Sequence, residues 1–146
     1  MADGTEPVDP SEIIYRRIIR SIKGGHYNPD RPQPLSHKAF GPRPIDTDGI
    51  SFLRQKYVSS PEQAAAEGAI GHEYWIIEML AGDLEGVGVK IEPAPLEDCI
   101  GHAVAPTINA SNGDQSEVLA AMDRARNLKY KPFGPFPGKK PPSAVA

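Results

Sequence analysis

Ile14, Tyr15, Ile18, Ile19 and Ile22 recur at the spacing that gathers apolar side chains on one face of a helix, with Arg16, Arg17, Arg20 and Lys23 on the other. Asp9-Pro10-Ser11-Glu12 reads as the start of that helix. Asp9 can cap it, Pro10 suits its first position, and Glu12 stands where a capping box needs an acceptor. Gly24-Gly25 supplies a stop. Strand alternation would mix Ile with Arg on both faces, so the pattern predicts a helix over 10–23.

Residues 26–49 carry Pro29, Pro32, Pro34, Pro42 and Pro44, which leave room only for brief elements. Asp48-Gly49 is a turn signal, after which Ile50, Phe52 and the stretch 54–58 read as a strand. Ser60-Pro61-Glu62-Gln63 is a second helix start, with the alanine-rich helix ending near Gly68 or Gly71. The bulky run 74–80 predicts a buried strand. Val87, Val89 and Ile91 alternate before Pro93 and Pro95, so 86–92 reads as a half-buried one. Another strand is expected over 103–108. Asn112-Gly113-Asp114 turns the chain, and Ser116 caps a helix to about Leu128 that buries Leu119, Met122 and Leu128. Beyond Lys129, Pro, Gly, Lys and two Phe form a segment unable to build its own core.

These elements predict an α+β fold: a single small domain over 1–128, with a three- or four-stranded sheet and two or three flanking helices. A basic, flexible, Pro/Lys-rich C-terminal tail over 129–146 follows. A length of 146 residues suits one domain, and 14 Gly with 16 Pro argue for short elements joined by many loops. The single cysteine, Cys99, excludes an internal disulfide. The polar, acidic N-terminus has no basic-then-apolar order, and no apolar run is long enough to span a bilayer. A cytoplasmic protein without a membrane partner is expected.

Charge changes the picture more than composition does. Residues 1–60 hold nine Lys/Arg against seven Asp/Glu; 61–123 hold only Lys90 against twelve acids; 124–146 hold six cations and no acid. A net charge of −3 hides this segregation, which is an argument about partners and internal contacts. Arg16, Arg17, Arg20 and Lys23, with Lys129 and Lys131 of the tail, are the candidate binding residues. They suit an acidic partner protein or, more narrowly, nucleic acid phosphates. An overall pI of about 5.8 weighs against nucleic acid as the main partner. The basic face could equally meet the chain's own acidic middle.

Familiar catalytic and metal motifs are missing. A calcium loop beginning at Asp46 would put Ile50 and Tyr57 at ligand positions. His72-Glu73 has Ile76 where a second zinc histidine should be, and Gly86-Val87-Gly88 lacks the third glycine of a dinucleotide loop. No metal or cofactor is expected. Ser36, His37, Asp46, Asp48 and Ser51 gather polar chemistry in a proline-rich stretch, as loops commonly do.

Tyr15-Arg16-Arg17-Ile18, Ser36-His37-Lys38-Ala39-Phe40, Asp46-Thr47-Asp48-Gly49-Ile50-Ser51 and Gly101-His102-Ala103 occur in that order. Over 14–108 the chain resembles a family of small, uncharacterised bacterial proteins. That resemblance implies a compact α+β domain of bacterial or phage origin. It implies no activity, cofactor or catalytic residue.

Two functions are carried forward. The first is a non-enzymatic binding or accessory module, of inhibitor or immunity type, whose charged surfaces recognise a protein. The second is a small enzyme acting on a phosphorylated nucleotide or nucleic acid, with its site between the 26–51 loop and the strand beside His102. There Arg17 would hold phosphate, His37 or His102 would serve as acid or base, and Ser51 would stand close by. The enzyme requires Arg17, His37, Ser51 or His102 to meet in one concavity, whereas the module requires only an exposed charged face.

Overall fold

The segment expected to coil is extended. In the computed structural model, which describes residues 3–21, 25–111 and 115–141, Ile13–Ile19 form strand β1. The local helix-start signals are present: Asp9 Oδ1 accepts from the Ser11 N–H (2.8 Å), and Glu12 Oε2 from the Asp9 N–H (2.8 Å). They close a turn that leads into a strand. β1 pairs antiparallel with β3, Glu73–Leu80, over its whole length, from Ile13↔Leu80 to Ile19↔Tyr74. β-Branched isoleucines suit such a pleat. Because both faces of β1 are covered, apolar residues fall on both, and the mixing of Ile and Arg that argued against a strand is what a central strand displays.

The sheet has six strands, not three or four, in the order β4-β5-β2-β1-β3-β6, and every neighbouring pair is antiparallel. β2 is Ile50–Arg54, β4 Glu92–Pro93, β5 His102–Ala105 and β6 Lys131–Pro137. Four helices accompany it among the described residues: α1 Gln55–Val58, α2 Pro61–Ala66, α3 Ala81–Gly86 and α4 Gln115–Arg126. A 3-10 turn spans His37–Phe40. Ser60 caps α2 by accepting from the Gln63 N–H (3.2 Å), as its sequence predicts. The strand expected over 86–92 shrinks to Glu92–Pro93, because α3 runs through Gly86 and the chain then turns at Gly88, φ +87°.

The tail is the largest correction. Lys131–Pro137 adds to the free edge of β3, with Ile76↔Phe133 and Tyr74↔Phe136 as partners. A segment with no core of its own thus gains one by joining the sheet. Pro132, Pro135 and Pro137 are tolerated because an edge strand has one unpaired side. Lys140 Nζ then ties the chain to Glu67 and, at 3.0 Å, to Asp98.

One face of the sheet, with Ile14, Ile18, Ile50, Phe52, Ile77 and Met79, is covered by α3, α4 and the 3-10 turn. The other, with Tyr15, Leu53, Tyr74 and Ile76, packs against Val58, Ala64 and Ala65 of α1 and α2. α4 buries Val118, Ala121, Met122 and Ala125, while Leu119 points to solvent and Leu128 is half-buried. Among the described residues no helix is long and apolar enough to cross a membrane.

Candidate functional site

β1 and β2 pair only at Ile14↔Arg54 and Tyr15↔Leu53. Beyond Leu53, β2 continues with β5 and β1 with β3, so the two strands part. The opening is a cleft of about 440 Å³ whose polar lining is Arg16, Arg17, His26, Arg43, Ser51 and His102, with Tyr74 and Leu96 among its apolar walls. Alternation decides which side chains share a face. Tyr15 lies opposite Leu53, and Leu53 opposite His102, so Tyr15, Arg17, Ser51, Leu53 and His102 belong to one face of the sheet. Arg16 belongs to the other.

Arg16 closes the wedge from that second face. Its Nη1 donates to the Ser51 carbonyl (2.8 Å), its Nε donates to the Ala39 carbonyl (2.9 Å), and its guanidinium lies 5.8 Å from the Phe52 ring centroid. Burial pushes its pKa down to about 10, which leaves it charged at neutral pH. Arg17 is different. Its guanidinium lies 5.4 Å from the Tyr74 ring centroid and, among the described residues, forms no hydrogen bond or ion pair. Burial lowers its pKa, against the weaker pull of Tyr74 and Glu67.

The charge around the cleft is one-sided. Arg43 pairs with Asp46 at 3.2 Å; burial works to raise the Asp46 carboxyl, but the Arg43 hydrogen bonds overcome it and hold the carboxyl below its usual value. His26 is pushed down first by burial and then by Arg16, Lys38 and Arg31, which favours its neutral form. A cleft walled by cations attracts anions.

His102 is held at both ring nitrogens. Nδ1 lies 2.8 Å from the Ala94 carbonyl oxygen and Nε2 lies 2.9 Å from Ser51 Oγ. A carbonyl can only accept, so hydrogen-bond chemistry assigns the proton of the neutral ring to Nδ1. Nε2 then accepts from the Ser51 hydroxyl. His102 is therefore engaged with Ser51 rather than with Cys99, whose thiol burial pushes up.

Of the sequence candidates, Arg17, Ser51 and His102 meet in the cleft, while His37 sits in the 3-10 turn and does not line it. The basic helical face does not exist: Arg16 and Arg17 point to opposite sides of a strand, and Lys23 lies outside the described residues. Arg20 pairs with Glu73 at 2.6 Å, so a basic residue of the first segment meets the acidic middle. Lys129 and Lys131 are exposed, and Lys131 stands opposite Glu78 across β3 and β6. Ser36 caps the 3-10 turn. His26, Arg43, Tyr74 and Leu96 were not anticipated; Tyr74 comes to the cleft from β3, and the other three come from loops. Among the described residues no group of three or more His, Cys, Asp or Glu is arranged to hold a metal ion. Compared with known family models, curated proteins and solved structures, the chain gives no match. The geometry of the cleft carries the functional reading.

Proposed function

We propose that the protein binds a small phosphate-bearing ligand of the nucleotide class in the cleft between β1 and β2, with Arg17 meeting the phosphate. The observation that carries this reading is the state of Arg17. Each of the other half-buried or buried arginines, Arg16, Arg31, Arg54 and Arg126, donates to a carbonyl or carboxylate. Arg17 has an aromatic ring but, among the described residues, no acceptor. The Arg17 nitrogens stay open to the solvent of the cleft, so a ligand can replace water there with paired, charge-assisted hydrogen bonds. Phosphate does so with paired oxygens, and Arg is suited to meet them. The cleft volume of about 440 Å³ is in the range of small-molecule sites. Tyr74 and Leu96 provide apolar wall for a base or sugar.

The test is calorimetric titration with adenosine monophosphate and with inorganic phosphate, using wild type, Arg17→Met and His37→Ala. Wild type and His37→Ala are expected to bind alike. Arg17→Met is expected to weaken binding by about tenfold or more, consistent with the loss of a charge-assisted hydrogen bond. Equal affinity in Arg17→Met, or no binding of either anion by wild type, would overturn the reading. In that second case a protein partner docking on exposed Lys129 and Lys131 becomes the better account of the charge pattern.

A further inference from the structure

The Ser51 hydroxyl and the His102 imidazole form a diagonal pair on two strands. In the β2–β5 ladder Leu53 stands opposite His102 and Ser51 opposite Val104, so Ser51 and His102 lie on the same face one step out of register. Both are half-buried and both line the cleft that Arg17 enters. Three contacts fix their geometry. The Ala94 carbonyl orients the ring through Nδ1, Nε2 is presented to Ser51 Oγ at 2.9 Å, and Arg16 anchors the Ser51 main chain through its carbonyl. A hydroxyl on a basic nitrogen, with that base oriented by a third group, is the constellation that activates a serine.

We propose that Ser51 is a nucleophile and His102 its general base, acting on a carboxylic ester of a phosphate-bearing alcohol such as an acylated nucleotide. The proposal rests on the cleft binding phosphate through Arg17 and adds a covalent step to it. Ser51 Oγ bonds to the ester carbonyl carbon while its proton passes to His102 Nε2. The bond from that carbon to the alcohol oxygen then breaks, and His102 returns the proton to the departing alcohol. Water attacks the acyl-serine, His102 takes a proton from it, and the carboxylic acid leaves as the proton is restored to Ser51. No oxidant, reductant or metal enters this balance. Arg17 does no proton chemistry in it; by holding the phosphate it places the ester against Ser51.

A purely structural serine–histidine bond makes different predictions. It needs no opening to ligand, and its hydroxyl would be no more reactive than any other serine. The test therefore combines a fluorophosphonate label, followed by intact mass and peptide mapping, with hydrolysis of O-acetylated adenosine monophosphate. Wild type is expected to take one label at Ser51 and to release acetate. Ser51→Ala is expected to take none, and His102→Gln to slow labelling and hydrolysis by about a hundredfold or more, the usual contribution of a general base. Both variants are expected to keep the circular dichroism spectrum of wild type. O-acetyladenosine, which lacks the phosphate, is expected to be a poorer substrate for wild type and an equal one for Arg17→Met.

Labelling that survives in Ser51→Ala overturns the proposal. So does a wild type that binds adenosine monophosphate yet neither labels nor hydrolyses, and in that case phosphate binding stands. Labelling at Ser51 without adenosine monophosphate binding would support the nucleophile and overturn the anion reading instead.

Discussion

Arg54, at the end of β2, and Arg17, at the mouth of the cleft, are both arginines on central strands, and their surroundings are opposites. Arg54 is fully buried and its donors are matched: Nε and Nη2 fork onto Glu12 at 2.9 and 2.8 Å, while Nη1 and Nη2 reach the Gly4, Glu6 and Pro7 carbonyls. It straps the N-terminal segment across the sheet. Arg17 has a Tyr74 ring and, among the described residues, no acceptor. A buried cation with every donor used has a complete structural role. Arg17 keeps its nitrogens open to solvent beside an opening, where an acceptor can reach them. Burial and saturation of donors together separate the two.

The largest effect is expected at the strap. Arg54→Met leaves the Glu12 carboxylate with its main partner gone in a site where it is 11% exposed, and should cost about 3 kcal/mol, the lower end for breaking a buried pair. Urea denaturation of wild type and variant measures it. A loss under about 1 kcal/mol would mean that water reaches the Arg54 site easily. The matching change at the other end, Arg17→Met, should shift stability by no more than about 1 kcal/mol in either direction, because only the contact with Tyr74 is given up and an unmatched cation is removed. If it destabilises as much as Arg54→Met, Arg17 is structural.

Acid acts on the strap more gently. The hydrogen bond from the Tyr57 hydroxyl, followed by that from Lys56, holds Glu6 down at about 2 from an ordinary value of 4.5. Burial tends to raise Glu12, but the Arg54 hydrogen bonds prevail and its pKa is lowered as well. For carboxylates depressed in the folded state, the stabilisation is whole above 4.5, declines as pH falls, and is gone below about 2. The urea midpoint should therefore drop across that window, and Glu6→Gln should flatten the drop. An identical acid profile in Glu6→Gln would detach the strap from this carboxylate.

What could be read from the residues follows the range of the interactions. The Ser60 cap of α2 is a contact between residues three apart, and its sequence is enough to find it. Ile14 to Ile19 satisfy a helical stripe as well as a strand, and the decision lies with β3, a distant partner that pairs with all seven residues of β1. Lys131–Pro137 has too little apolar surface to fold alone, so its extended form becomes legible only once the edge of β3 is known. Arg17, Ser51 and His102 were recognisable as chemistry-bearing types, but their meeting depends on the register Leu53↔His102 and on the parting of β1 from β2. His26 and Tyr74 carried no signal of their own. His37 was a candidate of equal rank and is on the far side of that decision.

The prolines of β6 bear on how the molecule behaves when crowded. A sheet margin recruits a neighbouring chain by offering a row of amide hydrogens, and Pro132, Pro135 and Pro137 carry none. The opposite margin, β4, is only Glu92–Pro93, a negative charge followed by another imino residue. Neither border offers an unbroken row of amide hydrogens, so addition of another chain's strand at these two edges is disfavoured.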